Sequence, residues 1–320
     1  MHVALTHRAI RQALVQKMES QQIDTLARVE REEEGDTIYE IDTAAEQSTR
    51  AGFSPRGAKH FSFAFLAEGM GEVGDADAKW RIIHDPIDGT RGLMYQKRSA
   101  WILTGVAPNK GPDTSLSDIV FAVQTEIPLV KQTLSDQILA VRGQGARATR
   151  WDKTTDHDVP LRLTPSSASS IAHGFATVSR FFPGARDELA AIDEEIVAGA
   201  LGPVQPGKAH CFEDQYISTG GQFYELMAGH DRFIADLRPL AERTLAARGL
   251  KLGICCHPYD VCTALIAAES GVILTDASGN PLDAPLNLDA DVAWAGYANE
   301  RIRAQIEPLL QASLKKRGWI

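Results

Sequence analysis

Asp85-Pro86-Ile87-Asp88-Gly89-Thr90 directly follows a short apolar run over residues 80–83. The run predicts a strand, and Pro86 and Gly89 predict a tight turn after it. Such a turn can aim both of its carboxylates and the carbonyl between them at one point. Hard oxygen ligands of this kind suit Mg²⁺, and the N–H and hydroxyl groups that follow suit a phosphate. The segment therefore predicts a metal and phosphate site, the alternative being a plain Asp-Gly turn.

The first half of the chain has the pattern of two helices followed by strands. Apolar residues at helical spacing predict a helix over 4–20, and a second helix is predicted to begin at Asp42. The acidic run 30–36 between them predicts a solvated loop. Short apolar runs then predict strands over 61–66, 80–83, 100–106, 119–124 and 137–141, with a hairpin turn at 143–145. This order indicates an α+β part with an antiparallel sheet.

The second half alternates between strands and helices. Strands are predicted over 175–178, 232–235, 272–275 and 292–297, and helices over 216–228, 261–270 and 300–315. The alternation indicates a mixed or parallel sheet covered by helices. The Pro- and Ser-containing stretch 160–170 is the best boundary, so the chain is predicted to divide into parts 1–160 and 161–320.

The charge balance bears on the partner. The 320 residues include 33 Lys and Arg against 42 Asp and Glu, a net charge of −9. This argues against a broad basic surface for a nucleic acid polymer. An acidic protein also repels a phosphorylated metabolite unless bound cations supply positive charge locally.

The cysteines and the apolar content bear on the compartment. None of the four cysteines falls in a CxxC pair, the N-terminal residues form no apolar run, and no segment approaches the ~20 apolar residues that a membrane span needs. We therefore expect a reduced, cytoplasmic protein with no membrane partner. Cys255-Cys256-His257 raises the idea of zinc, but its spacing fits no usual structural zinc pattern, so buried thiols are expected.

The central segment resembles the metal-binding signature of the inositol monophosphatase family, whose superfamily includes fructose-1,6-bisphosphatases and phosphatases of 3′-phosphoadenosine 5′-phosphate. Three further segments resemble that family in the same order: Ile41-Asp42-Thr43, Phe65-Leu66-Ala67-Glu68-Gly69 and Pro258-Tyr259-Asp260-Val261. The resemblance covers residues 5–300. It implies an α+β protein built as a layered αβαβα sandwich, and a homodimer.

The resemblance implies Mg²⁺-dependent hydrolysis of a small phosphomonoester, with two or three ions and Mn²⁺ as an alternative. It implies that the metal ligands are Glu68, Asp85, the Ile87 carbonyl, Asp88 and Asp260. It implies that Asp42 and Thr90 orient or deprotonate the attacking water. It also implies that Glu68 is a catalytic residue. It implies substrate contacts from Asp88, Gly89, Thr90, Arg91, Thr219, Gly220, Asp236 and Asp260.

Several positions depart from the family pattern. Gly69 stands where a second acidic residue is common, so Glu72 is an alternative ligand to Glu68. His84 occupies a position that is usually apolar. Arg91 could pair with a second acidic group of the substrate or lie solvated at the rim. An apparent insertion over 238–256 could reshape the pocket mouth. The alternatives are therefore a 3′-phosphonucleotide or sugar bisphosphate phosphatase, or a non-catalytic relative that binds a phosphorylated metabolite.

Overall fold

The computed structural model describes residues 2–33, 36–53 and 62–320. The chain folds into five layers in which helices alternate with two sheets. The first layer holds α1 (His2–Ser20) and α3 (Glu40–Gly52), which pack against each other while α1 lies on the large sheet. Helix α1 buries one face because Ile10, Leu14 and Met18 recur at helical spacing. The short helix α2 (Ile23–Leu26) and a hairpin of β1 (Val29–Glu33) and β2 (Asp36–Tyr39) connect them.

The large sheet forms the second layer. Its strands are β3 (Phe63–Ala67), β4 (Gly71–Gly74), β5 (Trp80–Asp88), β6 (Ala100–Pro108), β7 (Phe121–Ile127), β8 (Leu134–Val141), β9 (Ala146–Asp152) and β10 (His157–Leu161). Their order is β10-β9-β8-β7-β6-β5-β3-β4, and every pair is antiparallel except β3 with β5. The helix α4 (Thr90–Met94) follows β5 after one residue.

The other three layers complete the sandwich. Helices α6 (Thr219–Met227) and α8 (Ala264–Glu269) lie between the sheets. The small sheet contains β11 (Phe175–Val178), β12 (Asp231–Asp236), β13 (Ile273–Thr275) and β14 (Trp294–Tyr297) in the order β11-β12-β14-β13. Helices α5 (Arg186–Leu201) and α9 (Glu300–Lys316) cover its outer face, and α7 (Glu242–Ala247) lies in the chain between β12 and α8. The αβαβα prediction is confirmed.

One apolar core joins the two halves of the chain. Trp101 and Ile138 of the large sheet, Phe223 of α6, Ile266 of α8 and Trp294 of the small sheet all belong to it. The predicted boundary 160–170 begins inside β10 and runs between the two sheets. The core is thus continuous across that boundary. The division of the chain at residue 160 stays a prediction.

The structure differs from the predicted elements in several places. The acidic stretch predicted as a loop over 30–36 contributes instead to the β1–β2 hairpin. The helix predicted over 261–270 is confined to α8, because residues 258–263 form turns. Sequence reasoning also missed α5, although its buried Leu189, Ile192 and Ile196 have helical spacing.

Candidate active site

The Asp85–Asp88 segment continues strand β5 and is not a turn beyond it. In the register of β5 with β6, Asp85 lies opposite Leu103 and Asp88 lies opposite Trp101. Three residue steps on β5 thus match two on β6, which is a β-bulge. The bulge brings both carboxylates to one side of the strand end, as the sequence predicted for a turn.

Carboxylates from distant parts of the chain meet at this bulge. Asp85, Asp88 and Asp260 each offer an oxygen, and these oxygens lie within 4.8 Å of one another. Asp85 and Asp88 are buried. Three carboxylates this close repel one another strongly in a buried setting, and a divalent cation is the group that would offset the repulsion. The donor set is all oxygen, which fits Mg²⁺ or Mn²⁺ better than a soft metal.

The proton affinities of the three groups reflect their burial and, for Asp85 and Asp260, also that repulsion. Burial, followed by the charges of Glu68, Asp88 and Asp260, raises the pKa of Asp85 well above its usual range. Burial and the charges of Asp88 and Glu68 likewise raise the pKa of Asp260. Burial raises the pKa of Asp88 to about 6, although hydrogen bonds from Gly220 and Ser218 oppose the shift. Clusters perturbed in this way are typical of functional sites.

The structure distinguishes between the two candidate glutamates. Glu68 follows β3, lines the cleft beside the bulge, and is near enough to Asp85 to raise its pKa by charge and hydrogen bonding. Glu72 lies on β4 and is half-exposed, and its Oε1 accepts a hydrogen bond from Arg81 Nη1 at 2.9 Å. The structure therefore brings Glu68 to the carboxylate cluster and directs Glu72 to Arg81.

Asp42 links the start of α3 to the residue that follows the bulge. Its Oδ2 accepts a hydrogen bond from the Tyr39 N–H at 2.9 Å, and its Oδ1 accepts one from Thr90 Oγ1 at 2.8 Å. Thr90 Oγ1 also lies 3.0 Å from the Ile87 carbonyl oxygen. Helix α3 begins two residues before Asp42, which was the predicted start. Asp42 thus satisfies a donor at the helix start and faces the cleft through Thr90.

Asp88 joins the bulge to the start of α6. It accepts hydrogen bonds from Ser218 Oγ at 2.9 Å, from the Thr219 N–H at 3.2 Å and from the Gly220 N–H at 2.5 Å. A carboxylate at a helix N-terminus is favoured by the helix dipole. Thr219 lines the cleft, whereas the Gly220 N–H is already engaged by Asp88.

Asp260 and Gly89 complete the floor of the cleft. Asp260 lies in the turns before α8, where its Oδ2 accepts a hydrogen bond from the His257 N–H at 2.6 Å. Gly89 has a φ of +98°, and a Cβ there would meet the Ser218 Cβ at 2.9 Å. Glycine is therefore required at this position, both for its backbone conformation and for the close approach of Ser218.

Asp236 is not brought into the cleft as the sequence predicted. It is fully buried at the end of β12, and both of its oxygens accept hydrogen bonds from Arg238. Its oxygens thus accept hydrogen bonds from the Arg238 guanidinium and not from a substrate hydroxyl. Arg238 itself lines the cleft, as does Arg91.

Sequence reasoning missed several residues that line the cleft. Glu46 lies one helical turn after Asp42, a spacing that places both on the same face of α3. Its Oε1 lies 2.8 Å from where a Cβ of Gly69 would be, so a carboxylate lies next to the position where the family commonly has an acidic residue. Phe181, Phe182 and Ile254 also line the cleft, and no local pattern indicated them.

The segment 238–256, predicted as an insertion at the pocket mouth, reaches the cleft at both ends. Arg238, Ile254 and Cys255 line the cleft. Between them, Ala241 and Leu245 pack into a small apolar cluster with Ala185. The segment is thus anchored at its middle and contributes one cation to the cleft.

His84 and Cys255 lie near the site and are buried. His84 is fully buried, its Nδ1 lies 2.8 Å from Thr104 Oγ1, and burial lowers its pKa to about 3. All four cysteines, each within the described ranges, are free thiols. Burial raises the pKa of Cys255 to about 12. Among the described residues, the candidate metal-binding group consists of Asp85, Asp88 and Asp260 and includes no cysteine or histidine.

Comparison with solved structures identifies the fold. No family model matches the chain, and no curated protein matches it in sequence. The chain is similar in structure to a fructose-1,6-bisphosphatase from Leishmania major, with a TM-score of 0.70 and 12% identity over 98% of this chain and 93% of the other. It is also similar to the extragenic suppressor protein suhB from Bartonella henselae, with a TM-score of 0.65 and 18% identity over 94% of each chain.

A third similar structure is the IMPase of Thermotoga maritima, with a TM-score of 0.62 and 14% identity over 98% of each chain. The chain therefore has the fold of the inositol monophosphatase and fructose-1,6-bisphosphatase superfamily, as the resemblance implied. Among the described residues, no helix is both long enough and apolar enough to cross a membrane.

Proposed function

We propose that the protein hydrolyses a small phosphomonoester with the help of divalent metal ions, Mg²⁺ first among them. The observation that carries the proposal is the convergence of Asp85, Asp88 and Asp260 oxygens within 4.8 Å at a cleft with Glu68 beside them. The phosphatase names of the structural neighbours support the reaction class.

Two or three ions are proposed, and ligands for two of them can be named. Glu68, Asp85 and the Ile87 carbonyl would hold one ion, and Asp85, Asp88 and Asp260 would hold another, with Asp85 shared. Such ions, when bound, would neutralise these carboxylates, acidify water and polarise the phosphate. The protein itself needs no nucleophilic side chain for this reaction.

Thr90 and Asp42 provide the route for a proton. Because the Thr90 hydroxyl donates its hydrogen to Asp42 Oδ1 at 2.8 Å, its oxygen lone pairs can accept a hydrogen bond from water in the cleft. The pair can thereby orient the water and take its proton as the oxygen attacks phosphorus. The bond between phosphorus and the ester oxygen breaks, and the leaving oxygen takes up a proton to give the alcohol and inorganic phosphate.

The first test is phosphate release from a panel of small phosphoesters, with and without Mg²⁺ or Mn²⁺, by the wild type and by Asp85→Asn. We expect metal-dependent turnover that Asp85→Asn abolishes, because the shared ligand is lost. Mg²⁺ should also raise the melting temperature of the wild type but not that of the variant, because binding to the native state alone is stabilising.

Two outcomes would contradict the proposal. Full activity in Asp85→Asn would remove the metal-assisted mechanism. If no ester releases phosphate in either metal, yet one of them raises the melting temperature, the protein would instead be a non-catalytic binder of a phosphorylated metabolite.

A further inference from the structure

The wall of the cleft that carries Arg238 has a chemistry that hydrolysis of a simple monophosphate does not use. Arg91, Phe181, Phe182 and Arg238 line the cleft together with the carboxylates. Among the described residues that line the cleft, the charged side chains other than these two arginines are acidic. This wall therefore bears on which phosphoesters the site selects. The inference of selectivity rests on the proposed function, phosphoester hydrolysis.

Arg238 is held in place yet keeps donors available. Its Nε donates to Asp236 Oδ1 at 2.9 Å, its Nη2 donates to Asp236 Oδ2 at 2.6 Å, and its Nη1 donates to the Ile254 carbonyl at 2.8 Å. A guanidinium has five N–H groups. Acceptors within the described residues thus engage three of them, which leaves two on a side chain that is 11% exposed and lines the cleft.

Asp236 balances the charge of Arg238 but does not shield it from the cleft. The carboxylate is fully buried beneath the guanidinium, so the positive end of the pair faces the cleft. Arg238 is also near enough to the metal-ligand candidates to lower the pKa of Asp88 and of Asp260 by its charge. Because Arg238 and the carboxylate cluster line the same cleft, a molecule of metabolite size can contact both together.

The two phenylalanines support both guanidinium groups. The Arg238 Cζ lies 4.8 Å from the ring centre of Phe181 and 5.4 Å from that of Phe182, and the Arg91 Cζ lies 5.5 Å from the ring of Phe182. Guanidinium groups stacked on rings are attracted to them and lose less freedom when they bind a ligand. The rings also exclude water from one side, which strengthens hydrogen bonds to an anion.

We propose that Arg238 and Arg91, supported by Phe181 and Phe182, form a second anion subsite, so that the substrate is a small phosphomonoester carrying a further phosphate or carboxylate group. The ester phosphate lies at the carboxylate cluster and its metals. The second acidic group takes the two remaining Arg238 N–H groups. Guanidinium donors suit both phosphate and carboxylate oxygens, so either kind of acidic group fits the subsite.

The test compares matched esters on one carbon frame. Inositol 1,4-bisphosphate against inositol 1-phosphate examines a second phosphate, and 2-phosphoglycerate against glycerol 2-phosphate examines a carboxylate. For at least one pair we expect kcat/KM of the wild type to favour the more acidic member by about tenfold to a hundredfold, because charge-assisted hydrogen bonds are of that strength. The pair that shows the preference identifies the acidic group.

Variants assign the preference to the subsite. Arg238→Met alone would leave Asp236 buried without its partner, so the informative variant combines Asp236→Leu with Arg238→Met, with folding checked by thermal unfolding. We expect its preference ratio to fall close to one, mainly through KM for the acidic member. Arg91→Met, which leaves Asp236 paired, should lower the ratio in part. Arg248→Met is the matched control, because Arg248 lies in the same segment but pairs with Asp187 on the surface.

The outcomes separate the subsite from the proposed function. Equal kcat/KM for both members of both pairs would overturn the subsite while leaving the phosphatase intact. A second contrary outcome is a folded double variant that loses activity equally on acidic and neutral esters. That result would show that Arg238 has only a structural role, the linking of the Ile254 carbonyl to β12. If no ester is hydrolysed, calorimetric binding of the same pairs still tests the subsite, since the acidic member should bind more tightly to the wild type only.

Discussion

Asp88 illustrates how one side chain serves both the fold and the site. Its oxygens accept hydrogen bonds from the first N–H groups of α6, and the same carboxylate lies within 4.8 Å of Asp85 and Asp260. The α6 donors lower its pKa against the effect of burial, which holds the value near 6. The helix start therefore favours the ionised form of Asp88 in a place where burial favours the protonated form.

Thr90 offers a sharp test at the residue scale. Thr90→Val keeps the shape of the side chain but removes the hydroxyl that joins Asp42 to the cleft. We expect kcat to fall about a hundredfold or more, because a positioned proton acceptor contributes that much, with a small change in KM. Thr90→Ser retains the hydroxyl and should keep most of the activity. Steady-state kinetics on the best ester measures both, and similar rates for the Val and Ser variants would exclude the relay.

At the scale of the element, the bulge in β5 and the start of α6 form one unit. The bulge turns two carboxylates to one side, and Gly89 then lets the chain pass directly beneath Ser218. Neither feature requires a long turn, so the strand and helix α4 follow each other with a single residue between them. The bulge and Gly89 together set the positions of Asp85 and Asp88 relative to the start of α6.

Substitution of Gly89 tests that unit. Gly89→Ala adds a Cβ at 2.9 Å from the Ser218 Cβ on a backbone with φ of +98°, so it brings both backbone strain and a clash. Gly143→Ala is the matched control, because φ is +76° there but the added Cβ meets no atom within 4 Å. We expect the control to lose about 1–2 kcal/mol of unfolding free energy from backbone strain, and Gly89→Ala to lose about 1–3 kcal/mol more from overpacking. Equal losses in chemical denaturation would argue against a close fit.

At the scale of the whole molecule, buried histidines tie the first helical layer to the large sheet. His7 of α1 lies 2.6 Å from Thr104 Oγ1 on β6 and 2.9 Å from Thr125 Oγ1 on β7. Burial and the charges of His84 and Arg11 lower the pKa of His7 well below its usual range. His7 is therefore neutral in the folded protein over the ordinary working pH range.

This network predicts a loss of stability in acid. A histidine whose pKa is lower in the folded state stabilises the protein fully above its unfolded pKa of about 6.5, and that contribution is lost as the pH falls below it. Each pH unit costs up to about 1.4 kcal/mol for each such histidine. We expect urea unfolding of the metal-free protein to show a larger drop between pH 7 and pH 5 for the wild type than for His7→Gln.

The comparison between these two proteins isolates His7. The raised pKa values of Asp85, Asp88 and Asp260 act in the opposite direction, because burial disfavours their charged forms and protonation relieves that cost as the pH falls. That contribution is present in both proteins and cancels in their difference. Parallel pH curves for the wild type and His7→Gln would show that His7 does not titrate as its burial implies.

The sequence determined the features that depend on neighbouring residues. Helical spacing predicted α1, apolar runs predicted the central strands, and the pattern of Asp85 to Thr90 indicated a metal site. The fold class followed from the order of these elements and from the family resemblance. Local spacing suffices here because side-chain direction along a strand or helix follows from its period.

Only the tertiary structure decided which distant residues meet. It brought Glu68 rather than Glu72 to the cleft, turned Asp236 beneath Arg238, and placed Phe181 and Phe182 in the same cleft as the carboxylates. No local pattern contains this information, because strand register and loop paths set which side chains converge across the chain. Glu72, for example, lies on β4 and contacts Arg81 on β5 instead of the carboxylate cluster. The pairing of β3 with both of these strands fixes that contact.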